Sequence, residues 1–377
     1  MEEAAIRAAV AAADDFLAFL SRYRHGDDGP APPAAVAGGP EAQRFFDASR
    51  RQANEVRDAA ANRLAAGIGS IPDPLAAALA GCHVGALIEQ GADPAVLGDV
   101  MRPRLQADFA AARRFVELVE AETSIEQPGD VDAAILAQLG RKDRIGASAW
   151  AAQESSTRAA MAAWCRHRPS RLLARGAPGL ADDAGFLGER GGYSHFIAAL
   201  LSAADGTQIT VLSPEQHKGF VVELEAVRNA AHLFALLEDT VVGDPEQGWL
   251  SGPRVAARVA AVARGECPLD VAMTYDVGWH YEYWWGVAPE GAGRRLGLHP
   301  LIAGMIGVEA TVHDLPEVLG QAILLMRPKV LGSRACDMSF FAPLHSALRS
   351  RVTVLRKLAA AEVDALCHDL RAEAEKL

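Results

Sequence analysis

Several things are scarce in this chain, and each scarcity narrows what it can be. Cysteine occurs only five times, at Cys82, Cys165, Cys267, Cys336 and Cys367, scattered and with no C-x-x-C pair. That spacing argues against a disulfide framework or a zinc ribbon and predicts a reducing, cytoplasmic setting with most thiols buried as small hydrophobes. Long apolar runs are missing: the uncharged stretch around Leu301 to Val308 is too short to span a bilayer. Met1-Glu2-Glu3 opens an amphipathic helix, without the basic start and apolar core of a secretory signal. Positive charge is in deficit, with 37 Lys and Arg against 48 Asp and Glu and a net charge of −11. Such a field repels phosphate, so neither nucleic acid nor an anionic membrane is an expected partner.

Short catalytic signatures are absent as well. The chain has no G-x-x-x-x-G-K-[ST] loop, no G-x-G-x-x-G between a strand and a helix, no H-E-x-x-H and no G-x-S-x-G. The common P-loop NTPases, kinases, zincin proteases and α/β-hydrolases are thereby disfavoured. Enzymes whose residues converge from distant positions are not.

What is present is a globular composition, 50% hydrophobic and 23% charged over 377 residues, enough for about two domains. The alanine-rich first half repeats apolar residues at helical spacing, starting with Ile6, Val10, Phe16, Leu17 and Leu20. Residues 26–40 read as a Gly/Pro/Ala loop, and helices are expected at about 40–66, 74–90, 103–122, 130–139 and 145–167. In this reading Pro103 opens one helix and Pro169 stops another. After Gly191 the texture changes. Gln208–Leu212 and Phe220–Glu225 alternate as a hairpin, followed by helices at 228–239 and 253–264. Strands are expected at 270–276, 279–287, 321–326 and 350–356, and a closing helix at 359–376. The fold class is therefore α+β, with a mainly helical N-terminal half and a mixed sheet with packed helices in the C-terminal half. The glycines of 175–190 place the division between a helical domain 1–180 and a mixed domain 181–377.

Three constellations carry chemistry. In Tyr275-Asp-Val-Gly-Trp-His-Tyr-Glu-Tyr-Trp-Trp285, strand alternation puts His280, Glu282 and Trp284 on one face and Trp279, Tyr281, Tyr283 and Trp285 on the other. His280 and Glu282, joined by Glu309 from a later segment, would form a site for one divalent metal, zinc, manganese or iron. The competing reading is an aromatic strand packing two layers, with His280 and Glu282 a hydrogen-bonded polar pair. A looser set is His299, Glu309, His313 and Asp314, in which Asp314 also suits the N-cap of a short helix. The basic run Arg166, Arg168 and Arg171 would hold an anion or nucleotide bidentately, or would only offset a helix dipole.

Ile209 to Phe220 and the helix His232 to Gly243 resemble an uncharacterised family of bacterial proteins. In that family a V-L-H-P-E…G-F hairpin precedes a helix reading N-F-x-L-H-x-L-L-x-D-x-L-x-G. Tyr283-Trp-Trp285 with Pro289-Glu-Gly291, Gly307 to Thr311 with Asp314-Leu-Pro316, and Ile323 to Pro328 are similar to its later segments. The resemblance spans roughly the second half and implies a bacterial protein of the same fold, with no activity attached. Ser213, Ala230 and Phe234 stand where the pattern has His, Asn and His.

The leading expectation is a non-catalytic binding or accessory protein acting on a protein or peptide partner, with Trp284 and Trp285 as candidate anchors. The alternatives are a metal-dependent hydrolase or oxidase built on His280, Glu282 and Glu309, and an anion or nucleotide sensor.

Overall fold

The computed structural model describes residues 2–25, 36–50, 52–269, 275–285, 311–315, 317–328 and 334–376. They divide into two units, Met1–Leu201 and Ser202–Leu377.

The first unit is all-helical: α1 (Glu2–Leu20), α2 (Pro40–Ser49), α3 (Asn54–Ile68), α4 (Pro74–Glu89), α5 (Ala95–Thr123), α6 (Ala133–Lys142), α7 (Arg144–Trp164), α8 (Arg168–Arg175), α9 (Leu180–Glu189) and α10 (His195–Ser202). Its centre is α4, which is apolar on every side and buried along almost its whole length, as a helix without a polar face must be. Asp73 starts it by accepting the Ala76 N–H, with Pro74 in the first turn. Gly81 and Gly85 let α7 approach closely: a Cβ on Gly81 would lie 3.1 Å from Ala159 Cβ, and one on Gly85 would lie 3.4 Å from Ala162 Cβ. Helix α5 buries Leu97, Met101, Leu105, Phe109 and Val116 along its inner face.

The second unit begins with the expected hairpin, β1 (Thr207–Ser213) and β2 (Lys218–Glu225), turning through His217 at φ 49°. Helices α11 (Ala230–Val241) and α12 (Ala257–Ala263) follow. Then come β3 (Tyr275–Trp279), β4 (Tyr281–Trp285), β5 (Glu317–Val318), β6 (Gln321–Pro328), β7 (Arg334–Asp337), β8 (Arg351–Leu358) and α13 (Ala360–Lys376). The main sheet is ordered β4-β6-β1-β2-β8, with β1 and β6 parallel and the other neighbours antiparallel. Strand β5 pairs with the start of β6, and β3 and β7 form a separate two-stranded ladder. One sheet face joins α11 and α12 in the larger core, and the other joins α13 through Leu212, Ile323, Leu325, Val363 and Leu370. The α+β class with a helical first half is thus the class observed. Among the described residues no helix is long and apolar enough to cross a membrane.

The structure departs from the sequence reading in detail. The helix expected over 40–66 is two helices, and Pro103 lies inside α5 because the apolar stripe runs unbroken on both sides of it. The glycine cluster of 175–190 holds α9, with Gly179 (φ 75°) before it and Gly191 (φ 84°) after it as turn residues. Helix α9 and all of α10 but its last residue, Ser202, lie in the first unit, which ends at Leu201, beyond the 180/181 division expected from the glycine cluster. Residues 312–314 form a 3₁₀ turn and 317–318 a short strand, in place of the short helix after Asp314.

Candidate functional site

The aromatic segment is not one strand. The chain leaves the β3–β7 ladder at Trp279, bends at His280 and enters the main sheet at Tyr281. At such a crossing the main-chain N–H groups lose their ladder acceptors and need others. Glu238 of α11 supplies them. Its carboxylate, 0% exposed, accepts the N–H of His280 at 2.7 Å and that of Tyr281 at 2.7 Å, and the Tyr283 hydroxyl at 3.2 Å. His280 Nδ1 lies 3.1 Å from the same carboxylate. Burial pushes the Glu238 carboxyl above its usual range, against the pull of these donors. Burial also raises the Tyr283 phenol well above its ordinary value and that of Tyr281 to about 12.

Trp279, Tyr281 and Tyr283 are all buried against α11, with Tyr283 stacked on Phe234 at 3.9 Å and Trp279 edge-on to it. They are core residues. Glu282 turns to the other face of β4, where Arg327 of β6 lies directly opposite and donates from Nε at 2.8 Å. His280 and Glu282 therefore have different partners, Glu238 of α11 for the one and Arg327 of β6 for the other. Among the described residues no group of three or more His, Cys, Asp or Glu is placed to hold a metal. Glu309 lies outside the described residues, as do the side chains of Trp284 and Trp285, whose backbone belongs to β4.

The basic run builds something else. Helix α7 ends at Trp164, well before Pro169, which instead lies in the first turn of α8, where a proline is at home. Arg166 makes a bidentate pair with Glu89 at 2.5 and 2.6 Å and donates to the Ala162 carbonyl at the end of α7, the dipole-offsetting role. Arg171 is buried, at 4% exposure, and donates to the Trp164 carbonyl at 2.9 Å. Arg168 is half-buried and engaged too. Ser170, also buried, donates to Asp99 at 2.7 Å, with His167 Nδ1 2.8 Å from the same hydroxyl oxygen. Ser, His and Asp meet here, but the serine proton is committed to the aspartate, so the cluster seats the helix. Beside it the Trp164 indole donates to the Gly98 carbonyl at 3.0 Å.

This seating leaves α8 inside out. Ser170, Arg171 and Ala174 face the core. Pro169, Leu172, Leu173 and Gly176, at i, i+3, i+4 and i+7, are all exposed, Leu172 by 38% and Leu173 by 54%. A helix normally buries such a stripe. Sequence reasoning took the arginines as the feature here and missed the leucines. Glu238 was missed as well, although Phe234, Glu238 and Val241 at i, i+4 and i+7 mark a carboxylate on an inward face.

Compared with protein-family models, with curated proteins and with solved structures, the chain matches none.

Proposed function

We propose that this is a non-catalytic binding or accessory protein that docks on a protein partner through the outward stripe of α8. The observation that carries this reading is the inversion of that helix, which buries Arg171 and displays Leu172 and Leu173. An exposed apolar stripe and a buried charge are the informative departures from ordinary surface chemistry. Both cost stability, and the anchors at Trp164, Ser170 and Asp99 hold the arrangement in place. Leu172 and Leu173, with Pro169 one turn earlier, are side chains of the kind with which a helix fills an apolar groove. Tyr193 and Phe196, farther along the chain, add exposed aromatic surface of the kind that dominates interfaces. Five free cysteines fit a reducing, cytoplasmic setting. The charge of −11 fits a protein partner better than nucleic acid.

The test is a photo-crosslinking amino acid placed at Leu173, with exposed Glu126 as the control position, in cells that express the protein. A single protein crosslinked at 173 and not at 126, and lost in Leu172→Asp, supports the reading. Equal or no crosslinking at both positions overturns it.

A further inference from the structure

Helix α7 carries polar side chains that the packing of the helical unit leaves unused. Gln153 and Thr157 stand at i and i+4, on one face of the helix, and each is only 3% exposed. Ser194, in the turn before α10, is 0% exposed. Among the described residues, neither amide atom of Gln153 has a hydrogen-bond partner, nor has the hydroxyl of Thr157 or of Ser194. Ser194 stands where a serine caps a helix, and its carbonyl accepts the Ala198 N–H of α10, yet its hydroxyl makes no cap.

The turn is fitted to the amide. Gly192 is not among the residues in a left-handed conformation, so its backbone does not call for glycine. A Cβ on it would nevertheless collide with Gln153 Oε1. The missing side chain makes room for Gln153 against the turn. The Leu187 carbonyl, 2.8 Å from the same Cβ position, already accepts the N–H groups of Arg190 and Gly192, which occupy its two lone pairs. A turn that admits a buried amide and offers it no free acceptor points to a partner outside the polypeptide, because buried polar groups in native proteins are matched.

The chemistry of the three side chains says which partner. All are neutral, and each both donates and accepts. A cation would leave the amide N–H groups unmatched, and an anion would face the amide oxygen. Water serves both kinds of atom. It is also small enough for side chains at most 3% exposed, and an internal water makes about three such bonds. We propose that Gln153, Thr157 and Ser194 hold internal water that ties the turn before α10 to α7. The same turn and the first turn of α10 carry exposed Tyr193 and Phe196, so this tie helps to set where those aromatics stand.

Two measurements on the full chain test this. A crystal structure should show ordered water within hydrogen-bond distance of at least two of the three side chains. A dry site, with the Gln153 amide turned to donate to the Leu187 carbonyl, overturns the proposal, and so does an ion in place of water. Urea unfolding of Thr157→Val, which keeps the shape and removes the hydroxyl, gives an answer in solution by its sign. If the hydroxyl is bonded to water, the folding equilibrium constant should fall roughly three- to tenfold. If the hydroxyl is an orphan, removing it should raise that constant, and a rise or no change overturns the proposal. Ser194→Ala is the second variant, with the same expected direction, should Thr157→Val lose the native circular dichroism spectrum. Neither change touches the leucines of α8, so the result is independent of the docking reading.

Discussion

Glu238 lies 3.1 Å from the ring nitrogen Nδ1 of His280 and accepts the backbone N–H of the same residue at 2.7 Å, so one carboxylate holds a bend by its side chain and its main chain together. The prediction is severe destabilisation by Glu238→Ala. It would strand the N–H groups of His280 and Tyr281 without acceptors at a buried position, at a cost of about 3–5 kcal/mol. Glu238→Gln keeps an acceptor and should cost less. Urea unfolding monitored at the aromatic residues measures both.

The same carboxyl predicts a pH dependence. Burial raises its folded-state pKa above the ordinary 4.5, so the folded state holds a proton that the unfolded chain has already released. Stability should fall as pH rises from about 4.5 to the raised value, and level off beyond it. Glu238→Gln should lack that slope. A slope unchanged in the variant would assign it to another group.

His232 predicts the opposite sign. It is fully buried, with Nε2 2.7 Å from the Ala263 carbonyl and Nδ1 accepting the Arg228 N–H, and burial holds its pKa at about 4 against an ordinary 6.5. Between these values the unfolded chain binds the extra proton, so stability should be lost as pH falls from 6.5 to 4, by about 3 kcal/mol in all. Replacement by Gln should flatten that limb, as read from unfolding free energies at several pH values.

Gly98 predicts how firmly α8 is seated. A Cβ there would lie 2.5 Å from Ser170 Oγ and 2.6 Å from Ser170 Cβ, so Gly98→Ala must push α8 off α5, at about 1–3 kcal/mol. Gly185, inside α9 with open space around it, is the control. Gly185→Ala should stabilise by up to about 1 kcal/mol. Thermal melts of the two variants should move in opposite directions.

Glu282 and Arg327 face each other across β4 and β6 and are both partly exposed. A double-mutant cycle on the pair should give a coupling below about 1 kcal/mol. Elemental analysis of protein purified without chelator checks the other use of Glu282. Stoichiometric zinc, manganese or iron that disappears in His280→Ala would assign it to a metal site.

The helical first half and the β1–β2 hairpin were legible because each rests on local signals: apolar spacing of 3.6 or 2, a Pro at a first turn, a Gly at an exit. What the sequence hid was long-range. That Glu238 serves a bend more than forty residues later, and that Arg327 claims Glu282, depend on which strands become neighbours, and periodicity does not encode that. The stripe Pro169, Leu172, Leu173 and Gly176 was readable as an apolar face, but its direction was not. Direction is fixed by Asp99 and Gly98, whose distance along the chain places them outside any local window.

The strand order has a consequence for how the protein is made. β1 and β2 pair through a tight turn, but their outer neighbours β6 and β8 are supplied from the far end of the sequence. On a ribosome adding about 5–20 residues per second, the hairpin emerges on the order of ten seconds before both flanking strands are available. During that interval two β edges carry free N–H and carbonyl groups beside Val211, Phe220 and Val222, which only later become core. Synthesis of the last third of the chain is therefore the period of greatest exposure to aggregation, and a nascent chain stalled before β8 is the species a chaperone would be expected to hold.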